Sequence, residues 1–523
     1  MYLTQGLHRC MQQTPDCRAT VFGNRSRTFR EMHDRVARLA GALQALGMAP
    51  GDRVSMLALN SDRYIEYMLA VWWGGGVLNP VNIRWSVPEI VYSLDDCDTG
   101  ILIVDDQFLP MVAGIVATAK RAPCVIHAGE RQVEQRVPDG MLGYEALIAG
   151  AAPVPDMFRG GNDLASIMYT GGTTGKPKGV MQSHLNLWAS AVSRMAEFRT
   201  SESAFVSLHV APLFHTAAMA RAVGHIVAGD VQVIHPGFAP AAVLDTIERE
   251  RIEELLLVPT MLQAVLDHPA FGQHDLSSLQ RIFYGASPIS AGVLDRALAA
   301  LPNVAFYHAY GMTEASPVIT VNPPANHGPE ARASGLYRSA GRAGFGVTMR
   351  IVDPDGHEVP RHTIGEIVVR GANVTCGYWN RPQETAAALR DGWLYTGDAG
   401  YMDDNGYLFI VDRLKDMIVT GGENVYSAEV ESVLSLHPDV ATCAVIGIPD
   451  ARWGEAVHAV VVPRAGKAVA EQALRDHCRA SLANYKCPKS FEFRTQLPLS
   501  AAGKILKRDL REQYWRDQTR QVS

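Results

Sequence analysis

The sequence predicts an α/β protein: a large N-terminal domain with parallel-type sheets covered by helices and a β-rich subdomain, then a small, mobile α+β C-terminal domain. Up to about residue 340, short apolar runs alternate with segments of helical period, which is typical of parallel sheets with crossover helices. Residues 341–411 instead carry short apolar runs broken by Asp-Gly and Asn-Gly turns. Helices and strands with their own apolar faces resume after this segment. We therefore expect domains at 1–411 and 412–523.

Each element is predicted from its period and its stop signals. Residues 28–47 place apolar side chains at helical spacing, and Pro50-Gly51 follows. Residues 255–258 form an apolar run that stops at Pro259. The other predicted helices are 62–73, 216–228, 240–250, 428–436 and 469–482. The other predicted strands are 54–59, 77–81, 100–105, 164–169, 204–208, 231–234, 281–284, 304–307, 347–353, 364–370, 406–411, 440–448, 456–463 and 490–494.

Composition excludes several classes of function. The net formal charge is −6 and 20% of the residues are charged, so no basic excess indicates nucleic acid or an anionic membrane surface. The eight cysteines form no C-x-x-C pair, which favours reduced thiols over a disulfide framework or a zinc site. No apolar run is long enough to span a bilayer, and the N-terminus lacks a signal-peptide core. We expect a cytoplasmic protein, with a homodimer as a possible assembly.

The densest group of functional side chains lies in residues 169–180, which read YTGGTTGKPKGV. Glycines free the backbone so that several N–H groups can face one anion, and threonine hydroxyls and lysines add donors and positive charge. The segment therefore predicts a phosphate-binding loop. It is not a P-loop of the G-x-x-x-x-G-K-[ST] kind, because Thr170 replaces the first glycine and Pro177 follows Lys176.

This loop resembles the signature loop of the adenylate-forming superfamily, which includes acyl-CoA synthetases, aryl-CoA ligases, luciferases and peptide-synthetase adenylation domains. Gly171 stands where serine is more common. Further segments resemble that superfamily in its order, so that the likeness covers residues 169–508. They are PLFHT at 212–216, YGASP at 284–288, YGMTE at 310–314, YTGD at 395–398, DRLKD at 412–416, TGGEN at 420–424 and PLSAAGKI at 498–505.

The resemblance implies that ATP, Mg²⁺ and coenzyme A take part in the reaction, and it gives single residues their roles. Asp398 would bind the ribose diol, since a carboxylate accepts two hydroxyls well, and Tyr310 would stack on the base. Mg²⁺ would contact Thr173 and Glu314. The full set implied to contact ATP or AMP is Thr170, Gly171, Gly172, Thr173, Thr174, Gly175, Lys176, Lys178, Gly285, Ala286, Ser287, Tyr310, Gly311, Met312, Thr313, Asp398, Arg413 and Lys504.

The catalytic residues implied by the resemblance are Lys504, Glu314 and His215. Attack of a carboxylate on the α-phosphate builds negative charge, and Lys504 from a closing domain would stabilise it. His215 would gate the carboxylate or the thiol, although a structural histidine explains it about as well. Asp412 resembles the hinge residue of the superfamily. Gly421 and Gly422 resemble the loop that lets pantetheine pass.

The acid pocket is expected from the same resemblance, and its residues are His209, Phe214, His215, Met219, Tyr284, Gly285, Gly311, Met312, Ser316 and Val318. Because these residues are mostly apolar or small, a medium- or long-chain fatty acid is the first expectation. An aryl acid such as a cinnamate, or a steroid side-chain acid, remains an alternative.

The predicted activity is that of an AMP-forming acyl-CoA synthetase: ATP converts the acid to an acyl-adenylate with loss of pyrophosphate, and the thiol of CoA then displaces AMP. An adenylation enzyme that loads a carrier protein is an alternative, although no carrier site follows and residues 208–210 lack the aspartate that binds an amino group. A luciferase-type oxygenase also stays open. An α/β-hydrolase is disfavoured because no G-x-S-x-G occurs.

Overall fold

The structure is a computed structural model that describes residues 1–130, 137–170, 176–198, 204–287, 289, 291–467, 469–500 and 505–516. In this part of the chain the strands form four sheets. Two large sheets are covered by helices. A smaller sheet forms the β-rich subdomain, and the fourth sheet is formed by the C-terminal residues. This arrangement confirms the predicted α/β fold class.

A nine-stranded sheet carries most of the predicted site. Its inner strands are parallel, and antiparallel strands close both edges. In spatial order the strands are Arg342–Ala343, Val318–Asn322, Ala305–Gly311, Arg281–Gly285, Glu254–Leu257, Val206–His209, Val231–Ile234, Arg18–Phe22 and Arg25–Thr28.

An eight-stranded sheet holds the strand that leads into the predicted phosphate loop. This strand, Leu164–Thr170, pairs antiparallel with Lys178–Ser183, whereas the sequence predicted only the first of the two. In spatial order the strands are Gly377–Tyr378, Lys178–Ser183, Leu164–Thr170, Val77–Pro80, Arg53–Leu57, Ile101–Val104, Cys124–His127 and Leu142–Gly143.

The two smaller sheets account for the last third of the chain. The β-rich sheet contains Val347–Val352, Gly365–Gly371, Trp393–Met402, Leu389–Arg390 and Leu408–Arg413. The C-terminal sheet contains Glu423–Val425, Ile418–Thr420, Gly454–Pro463, Val440–Asp450 and Ser490–Phe493. Its own buried core includes Ile418, Val445 and Leu474.

The helices mostly cover the sheets. The first long one begins at Thr28, whose hydroxyl caps the helix in a capping box with Glu31. The α-helices are Gln5–Gln13, Phe29–Ala45, Asp62–Trp73, Val87–Asp96, Leu109–Thr118, Tyr144–Gly150, His184–Phe198, Thr216–Ala228, Pro240–Glu250, Pro259–Leu266, Ala291–Ala300, Pro329–Ala333, Pro382–Ala388, Ser427–Leu434, Glu471–Arg479 and Lys507–Trp515. Within the described ranges none of these helices is long and apolar enough to cross a bilayer.

Strand alternation decides which side chains share a face of the nine-stranded sheet. Leu208 packs into the core beneath helix Pro240–Glu250, together with Val233 and Val243. The residue that follows it, His209, therefore points to the opposite face, toward helix Thr216–Ala228. Of the residues predicted for the acid pocket, His209 and Met219 lie on this side of the sheet.

Candidate active site

The groups predicted to hold the nucleoside meet at the ends of strands. Tyr310 Oη donates to Asp398 Oδ2 at 2.7 Å, and Arg413 Nε lies 3.3 Å from Asp398 Oδ1. Asp398 and Arg413 are direct partners across two antiparallel strands, which fixes the pair. Burial, and then the charge of Asp398, raise the pKa of Tyr310 well above its usual value, so its hydroxyl stays a donor. A ring, a carboxylate and a cation in one cluster suit an adenosine.

Glu314 lies in a short turn directly after this cluster. Its side chain is buried, and its Oε1 accepts a hydrogen bond from Tyr378 Oη at 2.8 Å. Gln182 Nε2 donates to the carbonyl of Thr313 at 2.9 Å, which fixes the turn. A carboxylate oxygen is a ligand that Mg²⁺ prefers, so Glu314 fits a magnesium ion bound together with nucleotide phosphates. Thr173, its predicted partner, lies outside the described residues.

Two lysines at the base of the predicted phosphate loop rest on aromatic rings. Lys176 Nζ lies 5.3 Å from the ring centroid of Tyr92, and Lys178 Nζ lies 5.2 Å from that of Tyr378. Lys178 also faces Thr170 across the strand pair. Cation–π contacts therefore hold both ammonium groups beside the loop. The loop residues themselves lie outside the described part of the chain; they are Gly171, Gly172, Thr173, Thr174 and Gly175.

Backbone packing explains the two glycines that end the central strands. A Cβ on Gly285 would overlap the carbonyl oxygen of Ala309, and one on Gly311 would overlap that of Pro317. Ala286 follows in the left-handed region at φ +64°. The turn 285–287 and the segment Gly311, Met312 and Thr313 thus lie at neighbouring strand ends. This geometry allows a flat base to approach backbone.

The predicted acid-pocket residues do not all share one face. Phe214 and Met219 are buried in the core under helix Thr216–Ala228, and the ring of His209 contacts that of His225 on this helix at 5.5 Å. Tyr284 lies on the opposite face, in the core that contains Leu208. Tyr284 and His209 thus lie on opposite faces of the sheet, and the assignment of both to the acid pocket stays a prediction.

Three more residues predicted for the acid pocket, Tyr284, Ser316 and Val318, are held by contacts with neighbouring side chains and strands. The ring of Tyr284 stacks on that of His308, with centroids 4.9 Å apart, and Tyr284 Oη lies 2.8 Å from His327 Nε2. Ser316 is fully buried, and its hydroxyl accepts a hydrogen bond from Gln182 at 3.1 Å. Val318 pairs with Gly311 at the sheet edge. Strand direction and a tight turn therefore hold Tyr284 and Ser316 in structural positions.

His215 lies where the sequence placed it, between loop and helix. It precedes helix Thr216–Ala228, and its ring centroid is 4.3 Å from that of Phe214. Its place at the acid pocket is implied by the resemblance and stays a prediction. Its role as a gate stays a prediction.

Asp412 is held by a helix of the C-terminal segment. Its Oδ2 accepts from Ser427 Oγ at 2.6 Å and from the backbone N–H of Ala428 at 3.3 Å, at the start of helix Ser427–Leu434. Lys507 Nζ donates to the same Ser427 hydroxyl at 2.6 Å and lies 2.7 Å from Glu431 Oε1. These contacts bind Asp412 to the residues that follow it, and its action as a hinge stays a prediction.

Gly421 and Gly422 form the two-residue turn of a hairpin between Thr420 and Glu423. Both have positive φ, +62° and +85°, which glycine adopts without strain. A Cβ on Gly421 would also lie 2.7 Å from the Trp453 ring. Local turn geometry therefore explains both glycines without a tunnel, and their contact with pantetheine stays a prediction.

The segment PLSAAGKI at 498–505, here called the lysine loop, contacts the N-terminal part of the chain. Arg84 Nη1 donates to the carbonyl of Leu499 at 3.0 Å. Leu499 precedes Lys504, which itself lies outside the described residues. Sequence reasoning missed Arg84 because an isolated surface arginine carries no pattern. It also missed Tyr378, although the run GYWN at 377–380 was a visible signal.

Comparisons with known proteins agree with this geometry. A sequence model of the family described as "AMP-binding enzyme" matches residues 7–379, and one described as "AMP-binding enzyme C-terminal domain" matches residues 429–504. "Feruloyl-CoA synthase" from Amycolatopsis sp is 40% identical over 97% of this chain and 98% of that protein. "Fatty acid--[acyl-carrier-protein] ligase ScoC" from Streptomyces coeruleorubidus is 36% identical over 98% of this chain and 96% of that protein.

A solved structure is similar over the whole fold. ATP-bound MatB from Rhodopseudomonas palustris superposes with a TM-score of 0.87 at 32% identity, covering 98% of this chain and 99% of that one. Both domain matches follow the order of the motifs in the sequence. The chain therefore belongs to the AMP-binding enzyme family of the adenylate-forming superfamily.

Proposed function

We propose that this protein converts an aryl carboxylic acid to its CoA thioester through an acyl-adenylate, releasing pyrophosphate and AMP. Family membership, with a relative named as a CoA synthase over the whole chain, makes it an AMP-forming acid–thiol ligase. The identity of the acid is the part that we infer from the pocket.

The nucleotide cluster supports the first half of the reaction. Asp398 and Arg413 would hold the ribose hydroxyls, and the Tyr310 ring would lie against the base. Lys176 and Lys178 would reach phosphates at the loop. A bound Mg²⁺ would neutralise charge on the phosphates, and Glu314 would hold it while Tyr378 orients the carboxylate. Aligned in this way, the acid carboxylate can attack the α-phosphate.

The second half of the reaction needs the C-terminal residues to move. We infer two domains, 1–411 and 412–523, with Asp412 at the boundary and Lys504 acting only in adenylation. After the adenylate forms, rotation would carry Lys504 away and bring the hairpin at Gly421 and Gly422 to the site. Contacts such as Arg84 to Leu499 would break in that step.

The side chains that fill the face of the sheet carrying His209 favour an aryl acid over a long fatty acid. On the face that carries His209, the rings of Phe198, Phe283 and Tyr307 pack together, with centroids 4.7 to 5.0 Å apart. Beside them lies the buried ion pair of Arg194 with Glu254. A long alkyl chain would have to displace these groups, whereas a short flat acid would not.

The experiment that tests this proposal compares acids of different length. Pyrophosphate release with ATP and Mg²⁺ is measured for cinnamic, decanoic and hexadecanoic acids, with CoA present. We expect cinnamic acid to give the highest kcat/KM and hexadecanoic acid the lowest. The reverse order of kcat/KM would contradict our inference of an aryl acid and would favour a fatty acid as the substrate.

A further inference from the structure

His209 Nε2 and Arg221 Nη1 are among the buried polar atoms that have no hydrogen-bond partner in the part of the chain that the structure describes. His209 is 3% exposed and Arg221 is 6% exposed. A buried polar group without a partner destabilises the fold, because it has lost its hydrogen bonds to water. Such groups are rare in native proteins, and each calls for an explanation such as a ligand.

The rest of Arg221 is firmly held, so its free nitrogen is fixed in space. Its Nη2 donates to Ser207 Oγ at 2.6 Å and lies 3.0 Å from Glu254 Oε1. Glu254 also pairs with Arg194. His225, next to Arg221 on the helix face, has its Nδ1 2.8 Å from Asp230 Oδ2. Arg221 Nη2, Glu254 and His225 are thus paired, whereas Arg221 Nη1 is not, nor is Oε1 of Gln232, which is level with Ser207 on the neighbouring strand.

His209 belongs to the same group of side chains. Its ring contacts His225, whose Nε2 lies 3.4 Å from Arg221 Nε. Burial, and then the charge of Arg221, hold the pKa of His209 well below its usual value, so the imidazole is neutral. A neutral imidazole beside a fixed guanidinium provides hydrogen bonds for an oxygen atom but no site for a second cation.

Strand register sets the depth of His209. Leu208 is level with Leu255, so His209 is level with Leu256, which pairs with Phe283. Gly285, at the expected acid-pocket mouth, lies two residues further along, a rise of about 7 Å, and two strands across, a lateral offset of about 10 Å. An aryl acid whose carboxylate lies at that edge would bring the far end of its ring near His209 by running diagonally across the strands.

We propose that His209 and Arg221 determine the specificity of the acid pocket by binding an oxygen atom, hydroxyl or carbonyl, at the distal end of the acid. This inference rests on the proposed ligase function. An acid without that oxygen would leave both nitrogens buried against hydrocarbon, and sites built for a hydrogen bond discriminate strongly against such analogues.

The test compares 4-hydroxycinnamic acid with cinnamic acid, by kcat/KM for pyrophosphate release. The wild-type enzyme should prefer the hydroxylated acid by at least ~10-fold. In His209→Leu the preference should fall to within about twofold of unity, and in His209→Gln, which keeps hydrogen-bonding atoms, part of it should return.

His235→Leu is the matched control. His235 follows the neighbouring strand and points to the other face, where its Nε2 lies 2.7 Å from Thr246 Oγ1, so its loss should leave the preference unchanged. An equal preference in the wild type and His209→Leu would overturn the inference while leaving the ligase function intact. Activity with hexadecanoic acid, but with neither cinnamic acid nor 4-hydroxycinnamic acid, would overturn the aryl-acid proposal and this inference together.

Discussion

Removing the side chain of Arg84 tests whether the contact with the lysine loop belongs to the adenylation step. Arg84 lies in a surface loop of the N-terminal part, and its Nη1 donates to the carbonyl of Leu499 at 3.0 Å. In Arg84→Ala this hydrogen bond is lost, so the arrangement that we propose for adenylation, with Lys504 at the site, should be less populated. The stability of the fold should not change, since Arg84 is exposed.

The expected loss of adenylation rate follows from the free energy of the hydrogen bond between Arg84 and Leu499. A hydrogen bond of this kind contributes about 0.5–1.5 kcal/mol net. Taking about 1 kcal/mol for an exposed donor, adenylation should slow about fivefold. Thioester formation from a supplied acyl-adenylate should stay within about twofold of wild type, because that step uses the other arrangement of the C-terminal residues.

The assay measures both half-reactions on the same preparation. Acid-dependent exchange of pyrophosphate into ATP reports adenylation, and thioester formation from synthetic acyl-adenylate and CoA reports the second step. Arg84→Lys, which keeps the charge but shortens the reach, is the matched variant and should lie between wild type and Arg84→Ala. Equal loss in both half-reactions, or no loss in adenylation, would refute the role that we give to the Arg84 contact.

Three further predictions test other parts of the site and fold. Lys504→Ala should slow adenylation by at least ~100-fold and spare attack of CoA on a supplied adenylate; equal loss of both steps would contradict the division of labour. Tyr378→Phe should raise the Mg²⁺ concentration needed for half-maximal pyrophosphate exchange by about tenfold, because Glu314 loses a hydrogen bond to its charged group; an unchanged Mg²⁺ requirement would refute the positioning role. Burial raises the pKa of Glu145, but pairing with Arg35 outweighs it and lowers the value from 4.5 to about 2. Because a depressed acid pKa gives stability that is lost as pH falls through it, Glu145→Gln should weaken the loss of stability between pH 4.5 and about 2, and urea midpoints identical to wild type at every pH in this window would count against the pair.

The long periodic segments could be predicted from sequence because local signals agree with packing. Helices 62–73, 216–228 and 240–250 match the structure at both ends. A glycine follows each of the first two, whereas the third ends at Arg251, which adopts the left-handed conformation. The strand Arg25–Thr28 was not predicted, because its sequence RSRT is polar. It forms by pairing with Arg18–Phe22, which no local pattern reveals.

The site was partly predictable for a related reason. Motifs name residue types at fixed spacing, and they identified Asp398, Arg413 and Tyr310 as a group. They do not give the face of a strand, which register decides: one pocket was predicted for Tyr284 and His209, and these residues lie on opposite faces of the sheet. Nor do they show contacts between distant segments, such as Tyr378 with Glu314.

We propose that the chain activates an aryl acid in two steps and passes it to CoA. The most direct measurement is AMP release from ATP, Mg²⁺ and 4-hydroxycinnamic acid, with and without CoA, with the product identified by its mass. We expect AMP release to depend strongly on CoA and the product to be the aryl-CoA thioester. Pyrophosphate release with no effect of CoA on AMP release would contradict it and would point to a carrier protein or an oxygenation step instead.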